Sequence, residues 1–126
     1  NLGIISDVGS SWFVPNLIGR ARANGMGLLG DSISSEQAKD WGLIWDAVSD
    51  EELLSKSIEI AERLANGPIE GLKAIVKAHD NALSVSLNDQ LDYERDTQEI
   101  LLDKKEFKEG VSAFIGKRKP NFRDLS

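Results

Sequence analysis

One carboxylate near the start of the chain, that of Asp7, has the setting that proton transfer to or from a substrate requires. Three apolar residues precede it and are typical of the end of a buried extended segment: Leu2, Ile4 and Ile5. A turn signal covers residues 7–10, and an apolar helical face follows, made by Trp12, Phe13, Leu17 and Ile18. A carboxylate held between two apolar walls loses hydration and is protonated more readily, which suits a general acid or base.

The position of Asp7 has a second interpretation. Asp7 lies where the turn meets the start of a predicted helix. An aspartate there often accepts hydrogen bonds from backbone N–H groups and caps the turn or the helix. The pattern alone therefore leaves two roles open for Asp7, a cap of the turn or helix and an acid–base group.

Two runs of residues around Asp7 resemble the motifs of a known enzyme family. Residues 2–12 read LGIISDVGSSW, and residues 14–23 read VPNLIGRARA. They are similar to L-G-hydrophobic-hydrophobic-P-D-x-G-G-x-W and L-P-x-hydrophobic-hydrophobic-G-R-A-R-A of the crotonase superfamily, also called the enoyl-CoA hydratase/isomerase family. Ser6 stands where the family usually has proline, and Ser10 stands where it usually has the second glycine. Both residues can turn, so we expect a local adjustment of the loop and not its loss.

The resemblance continues, in order, along nearly the whole chain. Residues 28–38 read LLGDSISSEQA, residues 41–48 read WGLIWDAV, and residues 109–118 read EGVSAFIGKR. They resemble the family's L-L-G-x-x-I-x-A-x-x-A, W-G-L-hydrophobic-x-x-V and E-G-hydrophobic-x-A-F-x-x-K-R. On these residues the chain is identified as a member of the superfamily.

The resemblance implies roles for five residues. Asp7 matches the position at which isomerase-type members place an acid/base aspartate, and Gly9 and Trp12 belong to the same motif and are expected to bind substrate. Phe114 and Lys117 match positions on the terminal helix that approach coenzyme A. There an aromatic ring can cover the adenine, and an ammonium group can meet a phosphate. Plain packing in the core is the alternative for Phe114.

The resemblance also implies a reaction. The family binds an acyl-CoA thioester, and two backbone N–H groups stabilise the enolate that forms when a C2 proton is removed. We therefore expect an acyl-CoA isomerase that uses an aspartate, either an enoyl-CoA isomerase or a ring-1,2-epoxyphenylacetyl-CoA isomerase of phenylacetate catabolism. An enoyl-CoA hydratase and a non-catalytic oligomerisation module stay open as alternatives. No cofactor is expected, because coenzyme A is part of the substrate.

The resemblance divides the chain into two parts. Residues 1–48 correspond to the end of the crotonase core, a spiral of ββα units, with the active-site loop and its helices. Residues 49–126 correspond to the C-terminal helical region that mediates oligomer contacts and caps coenzyme A, so further copies of the chain are expected as partners, in a trimer or hexamer. The family's oxyanion donors belong to an earlier part of the fold. We therefore expect the C-terminal portion of a longer protein, inactive on its own.

Composition and charge argue against several other classes of function. The chain of 126 residues has no cysteine and one histidine, so neither a disulfide framework nor a His/Cys metal site is expected. The formal net charge of −6 argues against nucleic acid as a partner. No apolar run approaches membrane-spanning length, and we expect a cytoplasmic protein without a membrane partner. The histidine, His79, lies on an apolar helical stripe and is interpreted as a packed or interface residue.

Four cations crowd the last ten residues: Lys117, Arg118, Lys119 and Arg123. A basic tail on an acidic protein can hold an anionic ligand such as a phosphate. The alternative is a tail that is simply solvated.

The hydrophobic periodicity predicts a mainly α chain, the helical C-terminal region of a crotonase-like (ββα spiral) fold. Helices are predicted after the Asp7 turn, over residues 20–29, after capping boxes at residues 34–37, 49–52 and 86–89, from Pro68, and from a cap at Asp103 to Pro120. Residues 43–48 suit a brief extended segment. Because these helices are amphipathic and short, they need partners to cover their apolar faces.

Overall fold

The mainly α prediction is confirmed. A computed structural model describes residues 3–125, so Leu2 of the predicted extended segment lies outside the described residues. Within that range the chain forms seven α-helices, a final 3-10 turn and no strand. The helices are α1 (Ser10–Ile18), α2 (Arg20–Leu29), α3 (Ser35–Asp40), α4 (Asp50–Ala65), α5 (Ile69–Ala82), α6 (Leu87–Leu102) and α7 (Lys105–Ile115), and the 3-10 turn is Arg123–Leu125. Two compact units divide between Leu53 and Leu54.

In the first unit, α1 packs against α2. A single residue, Gly19, joins the two helices with φ +80° and ψ 154°, a conformation that L side chains rarely adopt. Gly30 then ends α2 in the left-handed region. Ser34 caps α3 as predicted, because its Oγ accepts a hydrogen bond from the Gln37 N–H at 3.1 Å. The buried side chains of this unit are Ile18 and Ala38.

Two extended segments predicted in this unit are wrong. Residues 43–45 form a bend, because Gly42 (φ +79°) turns the chain back over the end of α3, and residues 46–48 join no strand. The N–H groups of Leu43 and Ile44 then donate to the Ala38 carbonyl at 2.9 and 3.4 Å, so they are not available to a strand. Ile4 and Ile5 are 76% and 84% exposed, since no strand lies beside them among the described residues.

In the second unit, α5 packs on α6, and α6 packs on α7. The predicted cap of α6 is confirmed: Ser86 Oγ accepts the Asp89 N–H at 3.3 Å and donates to the Asp89 carboxylate at 2.6 Å. Gln90 links α6 to α5 by donating to the Ala78 carbonyl at 3.2 Å and accepting from the Asn81 amide at 2.9 Å. Ala113 is the buried side chain of this unit.

The limits of α7 differ from the prediction at both ends. Asp103 does not cap this helix; it terminates α6, and Lys104 precedes the first turn of α7. At the other end, α7 stops at Ile115, before Pro120. There the Gly116 N–H donates to the Ser112 carbonyl, and the positive φ of Lys117, +48°, ends the helical path.

The described residues leave most of their apolar surface uncovered. Between residues 3 and 125, the buried side chains are only those of Ile18, Ala38 and Ala113. The apolar stripe of α4 is exposed along its length, at Leu53, Leu54, Ile58 and Leu64. His79 is also exposed, beside a groove between α5 and α6, so it is not packed within the described chain. Its interpretation as an interface residue stays a prediction.

The sequence predicts neither a membrane nor a metal partner, and two features of residues 3–125 bear on these predictions. Within this range no helix combines the length and the apolar character needed to cross a membrane. The same residues contain no group of three or more His, Cys, Asp or Glu side chains placed to hold a metal ion.

The uncovered stripes lead to a prediction for residues 1–126 produced alone. We expect a helical but self-associated species, because contiguous exposed apolar surface favours association. Circular dichroism should show helix, and sedimentation velocity should show oligomers. Leu54→Lys, which places a charge on the exposed stripe of α4, should reduce the oligomer fraction. A stable monomer at all concentrations tested would contradict the expectation.

Candidate functional site

Asp7 begins a tight turn whose two central residues are both left-handed. The φ angles are +53° at Val8 and +79° at Gly9, the sign that a type I′ turn requires. The Asp7 carbonyl accepts two hydrogen bonds from Ser10, one from the N–H at 3.0 Å and one from the hydroxyl at 2.7 Å. A β-branched residue such as Val8 is rarely left-handed, at a cost of about 1–3 kcal/mol. The bonds to Ser10 help to hold the turn against that cost.

The Asp7 carboxylate is exposed and makes no hydrogen bond or ion pair with any residue between 3 and 125. It does not cap α1, because the capping position is Gly9 and no side chain bonds there. The helix-cap interpretation is therefore wrong. The apolar walls expected around Asp7 are only partly present: Ile4 and Ile5 are exposed, and Trp12 and Phe13 are about half exposed.

Gly9 and Trp12 follow Asp7 in the turn and in the first turn of α1, and their binding of substrate stays a prediction. The Gly9 carbonyl accepts the N–H groups of Trp12 and Phe13, both at 2.9 Å, and so starts α1. A Cβ atom on Gly9 would stand 3.0 Å from the Phe13 ring, and the positive φ disfavours L side chains, so a larger residue would be strained there. The Trp12 and Phe13 rings meet edge to face, 5.0 Å apart.

Phe114 and Lys117 lie together at the end of α7, in the second unit. Phe114 is 86% exposed, so the core-packing alternative does not hold within the described chain. Its ring borders an apolar groove of about 410 Å³ lined by residues such as Leu101, Phe107 and Phe122. The Lys117 N–H donates to the Phe114 carbonyl at 3.2 Å, and its amine makes no ion pair with a described residue. An exposed ring and an exposed cation are thus available side by side.

Arg118 is not a free cation of the tail. Its guanidinium donates to both oxygens of Glu109, at 2.6 and 2.9 Å, and also to the Ser112 hydroxyl at 3.2 Å. The Asn121 N–H donates to Glu109 at 2.7 Å. The hydrogen bonds from Arg118 and then from Asn121 lower the pKa of Glu109 to about 2, and Glu109 raises the pKa of Arg118. The predicted basic tail therefore loses one of its four charges to an internal pair.

Two features of the site were missed in the sequence. The first is the bond of the Ser10 hydroxyl, which the turn signal over residues 7–10 does not specify, although the spacing of three residues from Asp7 suits a side-chain bond across a turn. Glu109 and Arg118 are nine residues apart, and no local spacing rule links residues across a helix end and a reversal of the chain.

Comparisons with known proteins are in keeping with this arrangement. The chain matches the enoyl-CoA hydratase/isomerase family over residues 1–125. It is 46% identical over 121 residues to the 1,2-epoxyphenylacetyl-CoA isomerase of Escherichia coli strain K12. The aligned region covers 96% of this chain and 46% of that protein. It is 40% identical over 121 residues to a probable enoyl-CoA hydratase of Rhodobacter capsulatus. This alignment covers 96% of this chain and 47% of that protein.

A solved structure also matches. The crystal structure of enoyl-CoA hydratase from Bacillus anthracis superposes with a TM-score of 0.88 and 36% identity, covering 97% of this chain and 47% of that one. The chain thus spans about half the length of the relatives it matches. The resemblance found in the residues is confirmed.

The bonds to Glu109 lead to a prediction about acid. Because the pKa of Glu109 is lowered from 4.5 to about 2, its contribution to stability is fully present above pH 4.5 and is lost as the pH falls towards 2. The NMR chemical shift of the Glu109 carboxyl carbon should titrate near pH 2. The chemical shift of the Asn121 amide, which donates to this carboxylate, should change with the same midpoint. Glu99, an exposed residue of α6, is the matched control. A Glu109 midpoint near 4.5 would show that the pair with Arg118 is not formed.

Proposed function

Because this chain belongs to the enoyl-CoA hydratase/isomerase family, we propose that the complete protein is an acyl-CoA isomerase in which Asp7 is the acid–base residue. The observation that carries the proposal is the Asp7 carboxylate, exposed and unpaired among the described residues, on a turn that two bonds from Ser10 hold in place. The identity of 46% to an isomerase supports the same choice.

The proposed chemistry is a proton transfer within one substrate. The Asp7 carboxylate takes a proton from a carbon near the thioester, and the electron pair left behind spreads towards the thioester oxygen as an enolate. The same carboxyl group then returns the proton to a different carbon, so in an enoyl-CoA the double bond moves and no atom is gained or lost. In a ring-1,2-epoxyphenylacetyl-CoA the carbon–carbon bond of the epoxide must also break, so that the ring expands to the seven-membered oxepin with the same atoms. Donors to the enolate oxygen are implied by the resemblance and are assigned to no residue of this chain.

Coenzyme A is proposed to bind where Phe114 and Lys117 lie. The exposed Phe114 ring offers a flat apolar face for the adenine, and the Lys117 ammonium offers a charge for a phosphate. Lys117 is proposed in preference to Arg118 because the Arg118 guanidinium is already bound to Glu109. Coenzyme A enters as part of the substrate, so the proposal includes no cofactor.

The substrate proposed first is a ring-1,2-epoxyphenylacetyl-CoA, with an enoyl-CoA as the broader class. The similarity to the Escherichia coli isomerase supports the ring substrate. The second candidate function is hydration of an enoyl-CoA, which the similarity to the Rhodobacter capsulatus protein favours. The products distinguish the two, since a hydratase adds the mass of one water and an isomerase adds none.

The uncovered helix faces support a further part of the proposal. A trimer or hexamer would cover apolar stripes such as that of α4. A non-catalytic oligomerisation module, the remaining alternative, would use the same stripes without any role for Asp7. The cytoplasmic location stays a prediction.

The role of Asp7 is tested by Asp7→Asn in the complete gene product. Turnover of the acyl-CoA substrate should fall by roughly two to four orders of magnitude, the range for losing a general base, while acyl-CoA binding changes little. Asp31→Asn, at another exposed aspartate of the first unit, is the control and should leave turnover unchanged. Near-normal turnover of Asp7→Asn would remove Asp7 from the mechanism.

The role of Lys117 is tested by Lys117→Glu. The variant should bind the acyl-CoA more weakly by about 1 kcal/mol, and added salt should narrow the gap to the unmodified protein because exposed charges are screened. Lys108→Glu, on α7, which ends two residues before Lys117, is the control for the change in net charge. Titration calorimetry at two salt concentrations decides, and equal affinities for Lys117→Glu and the unmodified protein would assign Lys117 to solvent.

A further inference from the structure

We propose that Ser10 is a positioning residue for the Asp7 carboxylate, through the hydrogen bond that its hydroxyl donates to the Asp7 carbonyl. The inference rests on the proposed acid–base function of Asp7 and adds a residue to it. Ser10 touches neither substrate nor the reacting atoms in this role, because it acts on the backbone of Asp7.

The first support is the way in which Asp7 is held. Its carboxylate makes no hydrogen bond or ion pair with residues 3–125, so no side-chain partner in this range fixes its direction. What remains is the backbone, and there the Asp7 carbonyl receives both of the bonds made by Ser10, at 3.0 Å from the N–H and 2.7 Å from the hydroxyl. The orientation of the carboxylate thus depends on how firmly this carbonyl is held.

The second support is the strain in the turn. Val8 has φ +53°, a left-handed conformation that a β-branched residue seldom adopts. The Val8 side chain is 94% exposed, so packing does not offset this cost within the described chain. The bond from the Ser10 hydroxyl is one of the few interactions that favour the strained turn over a relaxed one, and it is removed by deleting one oxygen atom.

The test is a double-mutant cycle in the complete gene product, with turnover of the acyl-CoA substrate as the readout. Ser10→Ala should lower kcat about 10-fold and leave KM nearly unchanged, since one restraining hydrogen bond is lost and the base is misplaced. Ser10→Thr keeps the hydroxyl and should restore most of the turnover. Ser11→Ala removes the neighbouring hydroxyl, which makes no bond among the described residues, and should have no effect.

The cycle is completed in the Asp7→Asn background. If Ser10 acts through the Asp7 carboxylate, Ser10→Ala should cause no further loss of the residual turnover there. A loss of the same size in both backgrounds would show a general structural role and overturn the inference, as would normal kcat in Ser10→Ala beside a damaged Asp7→Asn. Normal turnover in Asp7→Asn itself would instead refute the proposed function of Asp7, so the two failures are distinguishable.

Discussion

The described helices bury only a small part of their apolar surface against one another, and the rest of the structure depends on this lack of a core. Ile18, Ala38 and Ala113 are the buried side chains between residues 3 and 125, and two of the three are alanines. Burial of so few small groups contributes only a few kcal/mol at about 25 cal/mol per Å². The helices are therefore defined by their ends and by a few pairings, and their apolar stripes need a surface to pack against.

Where packing is sparse, local hydrogen bonds fix the backbone geometry at the helix ends. The bonds between Ser10 and Asp7 hold one end of α1, and the pair of Glu109 with Arg118 folds the chain back along α7. Both lie beside residues proposed to meet the substrate, Asp7 in one case and Phe114 with Lys117 in the other. The parts of the chain proposed to do chemistry are thus the parts whose shape depends least on a core.

Much of the fold could be predicted because it is determined locally. The caps at Ser34 and Ser86 follow from a serine and a residue three positions on, which bond whatever the rest of the chain does. The predictions that failed depend on neighbours distant in the chain. Ile4 and Ile5 were expected at the end of a buried extended segment, which requires a neighbouring strand, whereas Leu43 and Ile44 donate back to the Ala38 carbonyl and so are not paired in a strand.

In the candidate site, too, the features set by neighbouring residues could be predicted and those that depend on distant residues could not. The position of Asp7 on a turn beside Gly9 and Trp12 could be predicted from the order of the residues, and so could Lys117 beside Phe114. The exposure of the Asp7 carboxylate could not, since it depends on what surrounds the turn. The pairing of Arg118 with Glu109 joins residues on either side of a chain reversal, so residue types alone did not show that this cation was occupied.

The junction at Gly19 has a consequence for how this region can change in length. One residue links α1 to α2, and its φ of +80° sets the direction in which α2 departs. No flexible loop residue is present there to absorb an insertion or a deletion, which would change the direction of α2 relative to α1, the helix that follows the Asp7 turn. The connection between α2 and α3, residues 30–34, is an ordinary loop that tolerates added residues at small entropic cost. Length variants of this segment should therefore be confined to the second connection and absent from the first.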